Sequence, residues 1–296
     1  DGAVIAPAPG LEYVMTVDML VEGRHFRAGA NPRALGHKTL AVNLSDLAAM
    51  GALPRFVLLA GALPESESEW VAAFMEGFDA LAREYDVELI GGDTTRGPRT
   101  LCVTAIGELP GGTAITRSGA SPGDIVYVSG RLGDAALALA ARDGRVDIGQ
   151  SSLAAFERRL DEPQPRVALG VALRGVASAA LDISDGLTGD LSHVLAASRV
   201  GASLDLRSLP MSDELRQMLD GGERELALGC VLAGGDDYEI CFTASPAMRE
   251  RVESIALALA LPLTPIGVIT VDPVLTIHDE DGRALSALPR AYDHFG

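Results

Sequence analysis

The stretch Ala179-Ala180-Leu181-Asp182-Ile183-Ser184-Asp185-Gly186-Leu187 decides the fold class. Its first five residues read as a short apolar strand. Two carboxylates bracket the end of that strand, and a glycine opens a helix predicted from Gly186 to Ala197. A strand that passes through an acidic turn straight into a helix is the repeating unit of α/β architecture. Such sheets place ligands where strands run out into loops, so Asp182 and Asp185 are expected to face a crevice and not the core.

The same pattern extends in both directions. Tyr13 to Leu20 alternates and is rich in Val and Met, which predicts a strand, with Asp18 at the end of its apolar part. Asn31-Pro32 predicts a helix start, with Asn as the cap and Pro at the first helical position. That helix carries Leu35, Leu40, Leu44, Leu47 and Met50 and stops at Gly51. A strand over Arg55 to Leu63 follows, then an amphipathic helix from Glu67 to Tyr85 bearing Trp70, Phe74, Phe78 and Leu81. Val87 to Ile90 predicts a strand ending at Gly91-Gly92-Asp93, and Leu101 to Leu109 another. Gly111-Gly112 marks a hinge, which divides the chain into expected domains 1–112 and 113–296. Beyond it come a strand at Ile125 to Ser129, a glycine turn, and helices at Asp134 to Arg142, Leu153 to Leu160 and Val167 to Val176. Further strands fall near Tyr238 to Thr243 and Leu263 to Ile269. The alternation predicts α/β or α+β architecture in both halves.

Composition narrows the function. The 296 residues are 48% hydrophobic and 22% charged, a globular balance. The net charge of −17, with Lys38 as the single lysine and no basic run, argues against a nucleic-acid binder. No apolar run is long enough to cross a bilayer. Cys102, Cys230 and Cys241 form no CxxC pair and read as core residues of a reduced, cytoplasmic protein. The opening Asp1-Gly2-Ala3-Val4-Ile5 looks like the middle of a motif, so residues before Asp1 are expected.

The aspartates carry the chemistry. Asp18, Asp93, Asp182 and Asp185 fall at or near strand ends, and Asp46 sits inside a helix pattern on the same face as Asn43. Each alone also suits a solvated surface. Gathered together, two carboxylates about 4 Å apart would repel by roughly 4 kcal/mol at an effective dielectric near 20, so a cluster needs cations. Oxygen donors without His or Cys select Mg²⁺ or Mn²⁺ over zinc. Gly91-Gly92-Asp93-Thr94-Thr95 and Gly130-Arg131-Leu132-Gly133-Asp134 are glycine loops that admit phosphate, although neither matches a Walker or dinucleotide pattern. Arg117 is a candidate phosphate clamp or a surface residue, and His25 a substrate contact or a packed histidine.

Together these segments resemble the thiamine-monophosphate kinase family. The resemblance rests on Asp18-Met19-Leu20-Val21-Glu22-Gly23-Arg24-His25-Phe26, on Ala41 to Ala52, and on Leu89 to Pro98. It continues through Thr116 to Ala120, Leu181 to Leu187, Gly234 to Glu239 and Tyr292-Asp293-His294-Phe295. It implies a two-domain fold shared with aminoimidazole-ribonucleotide synthetase. The N-terminal α/β domain would form a dimer barrel with its twin, and the larger C-terminal α/β domain would cover the nucleotide. It also implies ATP-dependent phosphorylation of thiamine monophosphate to thiamine diphosphate, assisted by several Mg²⁺ ions. Asp1, Thr16, Val17, Asp18, Asp46, Asp93, Asp182 and Asp185 match metal positions. Gly92, Asp93, Arg117, Ser184 and Tyr85 match ATP positions, and His25, Asp236 and Tyr292 match substrate positions. Asp46, Asp93, Asp185 and Arg117 would act in the transfer. Two positions depart from the family pattern: Val17 replaces a Thr, which leaves only its backbone carbonyl for a metal, and Asp236 replaces a longer Glu.

Two rival readings remain at this level. Sister enzymes of the same superfamily use a reactive cysteine or selenocysteine near a terminus, and none is visible here. A non-catalytic cation-binding protein would use its aspartates to hold the fold.

Overall fold

The computed structural model describes residues 2–289. The chain divides into two compact units. One comprises Asp1–Ala114 with Asp161–Val171, and the other Ile115–Leu160 with Ala172–Gly296.

The first unit is a four-stranded sheet backed by helices. Its elements are β1 (Leu11–Val21), α1 (Pro32–Ala49), β2 (Leu53–Leu63), α2 (Ser68–Glu84), β3 (Glu88–Arg96) and β4 (Thr100–Pro110). The strand order is β1-β4-β2-β3. β4 runs antiparallel to both β1 and β2, and β2 and β3 are parallel, joined by α2 as the crossover. α1 starts where the sequence predicts, with the Asn31 side chain accepting from Arg33 N at 2.9 Å and Ala34 N at 3.3 Å. The helix is buried on most sides: thirteen of its eighteen residues are buried, among them the polar Lys38, Thr39, Asn43 and Ser45. Two glycines let α1 and α2 touch backbone to backbone. A β-carbon at Gly36 would lie 1.9 Å from the Phe74 carbonyl, and one at Gly77 would lie 1.9 Å from the Arg33 carbonyl. The segment Asp161–Val171 is tied to both helices, because Tyr85 Oη donates to Pro165 O at 3.1 Å and His37 Nε2 lies 2.8 Å from Pro163 O.

β3 departs from expectation. The sequence predicts a loop at Gly91-Gly92-Asp93, yet the strand continues through them to Arg96. β3 is an edge strand, where one side needs no partner and glycine and polar residues are tolerated. Asp93 therefore lies within a strand and not at its end. Asp18 likewise lies inside β1, with three strand residues after it.

The second unit holds β5 (Ile125–Ser129), α3 (Asp134–Arg142), nearly all of α4 (Gln150–Asp161), β6 (Ala179–Ile183) and α6 (Leu187–Ser198), while the intervening α5 (Val167–Leu173) belongs mostly to the first unit. Then come β7 (Gly201–Asp205), α7 (Asp213–Asp220), α8 (Arg224–Ala233), β8 (Glu239–Ala244), α9 (Arg249–Leu259), β9 (Leu263–Thr270) and β10 (Leu275–His278). Its six-stranded sheet has the order β10-β7-β9-β5-β8-β6. Only the β10–β7 pair is parallel; the other four pairs are antiparallel. The core forms around Val126, Val128, Leu137, Leu181, Ile183 and Leu191, all nearly inaccessible. β6 and β8 are buried on both faces, so the polar residues in them need internal partners.

Candidate active site

In the first unit, β1 and α1 bring three predicted residues into one corner. Even-numbered residues of β1 face α1, with Val14 and Leu20 packed in the core. Thr16 and Asp18 share that face. The Thr16 hydroxyl donates to Asp46 Oδ2, and the Asp18 backbone N–H donates to Asn43 Oδ1 at 3.1 Å. Asn43 is fully buried and anchored in turn by its Nδ2 donating to Thr39 O at 3.1 Å. Asn43 and Asp46 stand three residues apart on the helix and form one polar stripe against β1. Asp46 is thus a half-buried carboxylate turned toward the sheet, not a surface residue. The odd residues of β1 point to the other face, where Met15, Val17 and Met19 are 62%, 59% and 53% exposed.

Just beyond β1, His25 accepts the Val21 N–H at Nδ1, 3.0 Å away, which leaves its Nε2 as the N–H donor of the neutral ring. The loop around it is pinned by Arg99, which binds Glu22 Oε1 at 2.9 Å and also Glu67. The Arg99 guanidinium lies 4.6 Å above the Trp70 ring.

Asp93 is placed elsewhere. β3 is separated from β1 by β4 and β2, about 14 Å at ordinary strand spacing, so the sheet does not bring Asp93 to Asp18 and Asp46. Asp93 is exposed and accepts the Thr94 N–H at 2.9 Å. Gly92 must be glycine because a β-carbon would lie 1.9 Å from the Leu59 carbonyl of β2. Both residues border a cleft of about 660 Å³ whose walls include Leu59, Trp70, Phe74 and Met75. Trp70 stacks on Phe74 with ring centroids 5.3 Å apart. Tyr85 is not part of this wall; burial raises the pKa of its hydroxyl, which ties down Pro165. The wall residues read in the sequence as helix core, since an apolar stripe looks the same whether it meets protein or ligand.

In the second unit, two loops form one structure. Asp182, buried in β6, leads into Ser184, Asp185 and Gly186. The Asp236 N–H donates to Ser184 O at 2.9 Å, and the Tyr238 N–H donates to Ile183 O at 2.8 Å. Asp236 has a φ of 67°, and the Tyr238 hydroxyl donates to its Oδ1 at 3.2 Å. Asp182, Ser184, Asp185 and Asp236 are therefore brought together. On the other side of the same loop, Asp190 Oδ2 accepts the N–H groups of Ser184, Asp185 and Gly186, each at 3.0 Å. Burial pushes the Asp190 carboxyl up to about 6; these N–H groups oppose the rise and the Asp185 charge adds to it.

Arg117 is anchored at the opposite ends of these elements. Thr116 O accepts from Ala180 N at the start of β6, and Arg117 O accepts from Ser198 Oγ at the end of α6. Its side chain is exposed.

In the second glycine loop, Gly130 to Asp134, the amides of Gly130, Leu132 and Gly133 already have partners within the chain. Gly130 N donates to Pro262 O, Leu132 N to Pro210 O, and Gly133 N to both oxygens of Asp237. Glu239 accepts from the Ser129 hydroxyl at 2.6 Å and from Arg159 at 3.1 Å, and Arg159 also lies 3.6 Å from Asp134. Burial holds the Asp237 carboxyl well above its ordinary range, against Gly133 N–H and Arg159, with Glu239 and Asp134 adding to the rise. Asp134 is raised for the same first reason. Asp1 and Tyr292 lie outside the described residues.

Comparison with known proteins bears on both units. Residues 1–109 match the model for AIR synthase related protein, N-terminal domain, and residues 121–280 that for AIR synthase related protein, C-terminal domain. The thiamine-monophosphate kinase of Salmonella typhimurium is 43% identical over 283 residues, 95% of this chain and 86% of that one. The Bacillus subtilis thiamine-monophosphate kinase is 36% identical over 306 residues, covering 100% of this chain and 92% of its own. The chain belongs to the thiamine-monophosphate kinase family. The crystal structure of the thiamine-monophosphate kinase from Stenotrophomonas maltophilia K279a superposes with a TM-score of 0.88 at 46% identity, over 96% of this chain and 90% of that one. The structure of AaThiL complexed with AMPPCP and TMP superposes with a TM-score of 0.85 at 29% identity, over 98% and 89%. The mixed α/β two-domain fold expected from the resemblance is the fold of this family.

Proposed function

We propose that this chain phosphorylates thiamine monophosphate to thiamine diphosphate, taking the γ-phosphoryl of ATP by direct in-line transfer. The observation that carries the reading is the near end-to-end likeness to AaThiL complexed with AMPPCP, an ATP analogue, and TMP. The chemistry agrees with the residues. A phosphate acceptor, with a second pKa of about 6, is already ionised at neutral pH and needs no general base. The difficulty is to hold two polyanions in line, which calls for positive charge and fixed geometry.

The donor set fits magnesium. Thr16, Asp18 and Asp46 in the first unit, Asp182 and Asp185 in the second, and Asp93 on the β3 edge offer only hard oxygen atoms, to which Asp1 and the Val17 carbonyl are added by resemblance. Among the described residues no group of three or more His, Cys, Asp or Glu side chains forms a ready-made metal cage. A Mg²⁺ ion is commonly held by one or two carboxylates and completed by phosphate oxygens and water. When bound, the ions would neutralise the phosphates and orient them. Gly92, Asp93, Arg117, Ser184 and Tyr85 are assigned to ATP. The aromatic cleft bordered by Gly92 and Asp93 is of a size to take a nucleotide base. His25, through its Nε2–H, Asp236 and Tyr292 are assigned to thiamine monophosphate. By resemblance Asp46, Asp93, Asp185 and Arg117 are assigned to the transfer, although Asp93 lies three strands from the Asp46 corner and Arg117 is anchored at the ends of β6 and α6 away from Asp185.

A homodimer belongs to this reading. β1 and β3 are open edges of the first sheet, and Met15, Val17 and Met19 form an apolar row on its open face. Pairing two copies into a barrel would cover that row and satisfy the edges. No described helix is long and apolar enough to cross a membrane.

The test is formation of thiamine diphosphate from ATP and thiamine monophosphate, followed in a coupled assay, with isothermal titration of ATP in the presence of Mg²⁺. Product formation and saturable nucleotide binding support the proposal. Cation binding without nucleotide binding would favour a purely structural use of the aspartates.

A further inference from the structure

We infer that Asp190 is the positioning residue for the Asp182–Gly186 loop, and through it for Asp236. The inference rests on the reading of that loop as a magnesium and nucleotide site. Asp190 is only 6% exposed, and one of its oxygens receives three successive backbone N–H groups, those of Ser184, Asp185 and Gly186, each at 3.0 Å. Three consecutive amides converging on one point at the start of a helix make a concavity that elsewhere holds phosphate. Here a side chain of the same chain fills it.

Two consequences follow. First, the amides of residues 184–186 are withheld from the nucleotide. The loop meets its ligand through the Ser184 hydroxyl and the carboxylates of Asp182 and Asp185. Second, the loop is held on both sides. Its N–H groups go to Asp190, while the carbonyls of Ile183 and Ser184 accept from Tyr238 N and Asp236 N. Removal of the Asp190 carboxylate frees one side, so Asp185, Ser184 and the attached Asp236 lose their common orientation. Asp190 touches no ligand in this account; it acts through the backbone of residues that do.

The experiment compares the wild-type chain with Asp190→Asn, Asp190→Glu and Ser192→Ala. Asn keeps an acceptor oxygen at the convergence point without the charge. Glu keeps the charge but moves it by one methylene. Ser192 lies exposed on the same helix, and its hydroxyl donates to Thr188 O at 2.6 Å, so Ser192→Ala alters the surface of α6 without touching the loop. Melting temperature, Mg²⁺ titration in the presence of AMPPCP, and steady-state rates are measured for each. Asp190→Glu is expected to weaken Mg²⁺ binding by about tenfold or more and to lower kcat by about 100-fold. Asp190→Asn is expected to fall between Asp190→Glu and wild type, and Ser192→Ala to keep wild-type Mg²⁺ affinity and kcat. Wild-type Mg²⁺ affinity and kcat in folded Asp190→Glu and Asp190→Asn overturn the inference. If Asp190→Glu does not fold, Asp190→Asn decides, and an unchanged Mg²⁺ affinity there overturns it. A wild-type chain that makes no thiamine diphosphate would instead overturn the reading on which the inference rests.

Discussion

The backbone N–H of Asp236 donates to the carbonyl of Ser184 at 2.9 Å, which joins a residue assigned to thiamine monophosphate to one assigned to ATP across 52 positions of sequence. Gly235 makes this join sterically possible. A β-carbon there would lie 2.4 Å from Ser184 O, a backbone atom that can move only with its loop. Gly235→Ala is therefore expected to push the two loops apart and to lower kcat/KM for both substrates by about 100-fold, since a displacement near 1 Å suffices for such a loss. Steady-state kinetics on protein shown to be folded by circular dichroism checks this. A loss confined to one substrate would show that the loops act separately.

Trp70 is the single tryptophan of the chain and forms part of the wall of the cleft beside Gly92 and Asp93. Emission excited beyond the tyrosine band thus reports on Trp70, which borders that cleft and lies beneath the Arg99 that pins the His25 loop. Mg²⁺ with AMPPCP is expected to change the emission saturably, and by more than thiamine monophosphate alone does. Trp70→Ala is expected to raise KM for ATP by about tenfold, within the 1–3 kcal/mol that aromatic stacking on a base contributes. A nucleotide that binds without altering the emission would place its base elsewhere.

Met15, Val17 and Met19 leave an apolar row on the open face of a sheet with two open edges. Val17→Arg puts a charge in the middle of that row while preserving the Val17 carbonyl. Sedimentation velocity is expected to show a dimer for the wild type and a monomer for the variant, because burying an unpaired charge is prohibitive. A wild-type monomer, or a dimeric variant, would remove the barrel from the account.

Asp237 contributes to the pH dependence of the second unit, beside Asp190 and Asp134, whose carboxyls burial also raises. Burial holds its carboxyl protonated well above the ordinary range, whereas in the unfolded chain it ionises near a pKa of about 3.9. Above that value the folded state binds more protons than the unfolded one, so this group makes stability fall as pH rises, until it ionises in the folded state as well. Relative to Asp237→Asn, which cannot titrate, the wild type should lose melting temperature steadily as pH climbs from about 4 toward neutrality. A difference independent of pH would mean that Asp237 is ionised in the fold.

Much of the architecture was legible because local signals agreed with the tertiary result. Asn31-Pro32 starts α1, and the apolar run Ala179 to Ile183 is β6. The acidic turn after β6 carries the predicted residues Asp182, Ser184 and Asp185 into one loop with Asp236. What the sequence hid depended on partners remote in the chain. Gly91-Gly92-Asp93 looks like a turn, but as an edge strand packed on the Leu59 backbone it extends through to Arg96. The Gly130 to Asp134 loop looks open to phosphate, and only the fold reveals that Asp237 already takes its Gly133 amide. Asp190 gave no signal, since an Asp in the first turn of a helix is ordinary; its three amide partners depend on how the preceding loop bends back over it. Arg117 read as a clamp near the hinge, and its backbone is fixed at the ends of β6 and α6 remote from Ser184 and Asp185.

The most direct test of the central claim, that these carboxylates serve magnesium-assisted transfer between ATP and thiamine monophosphate, is the rate of thiamine diphosphate formation by Asp46→Asn. Asp46 faces Thr16 from a helix that is otherwise core, and the substitution keeps its size and its acceptor for the Thr16 hydroxyl. Asp46→Asn is expected to be a folded protein of near wild-type melting temperature whose turnover falls by about 100-fold or more, not restored by added Mg²⁺. Turnover close to wild type would contradict it.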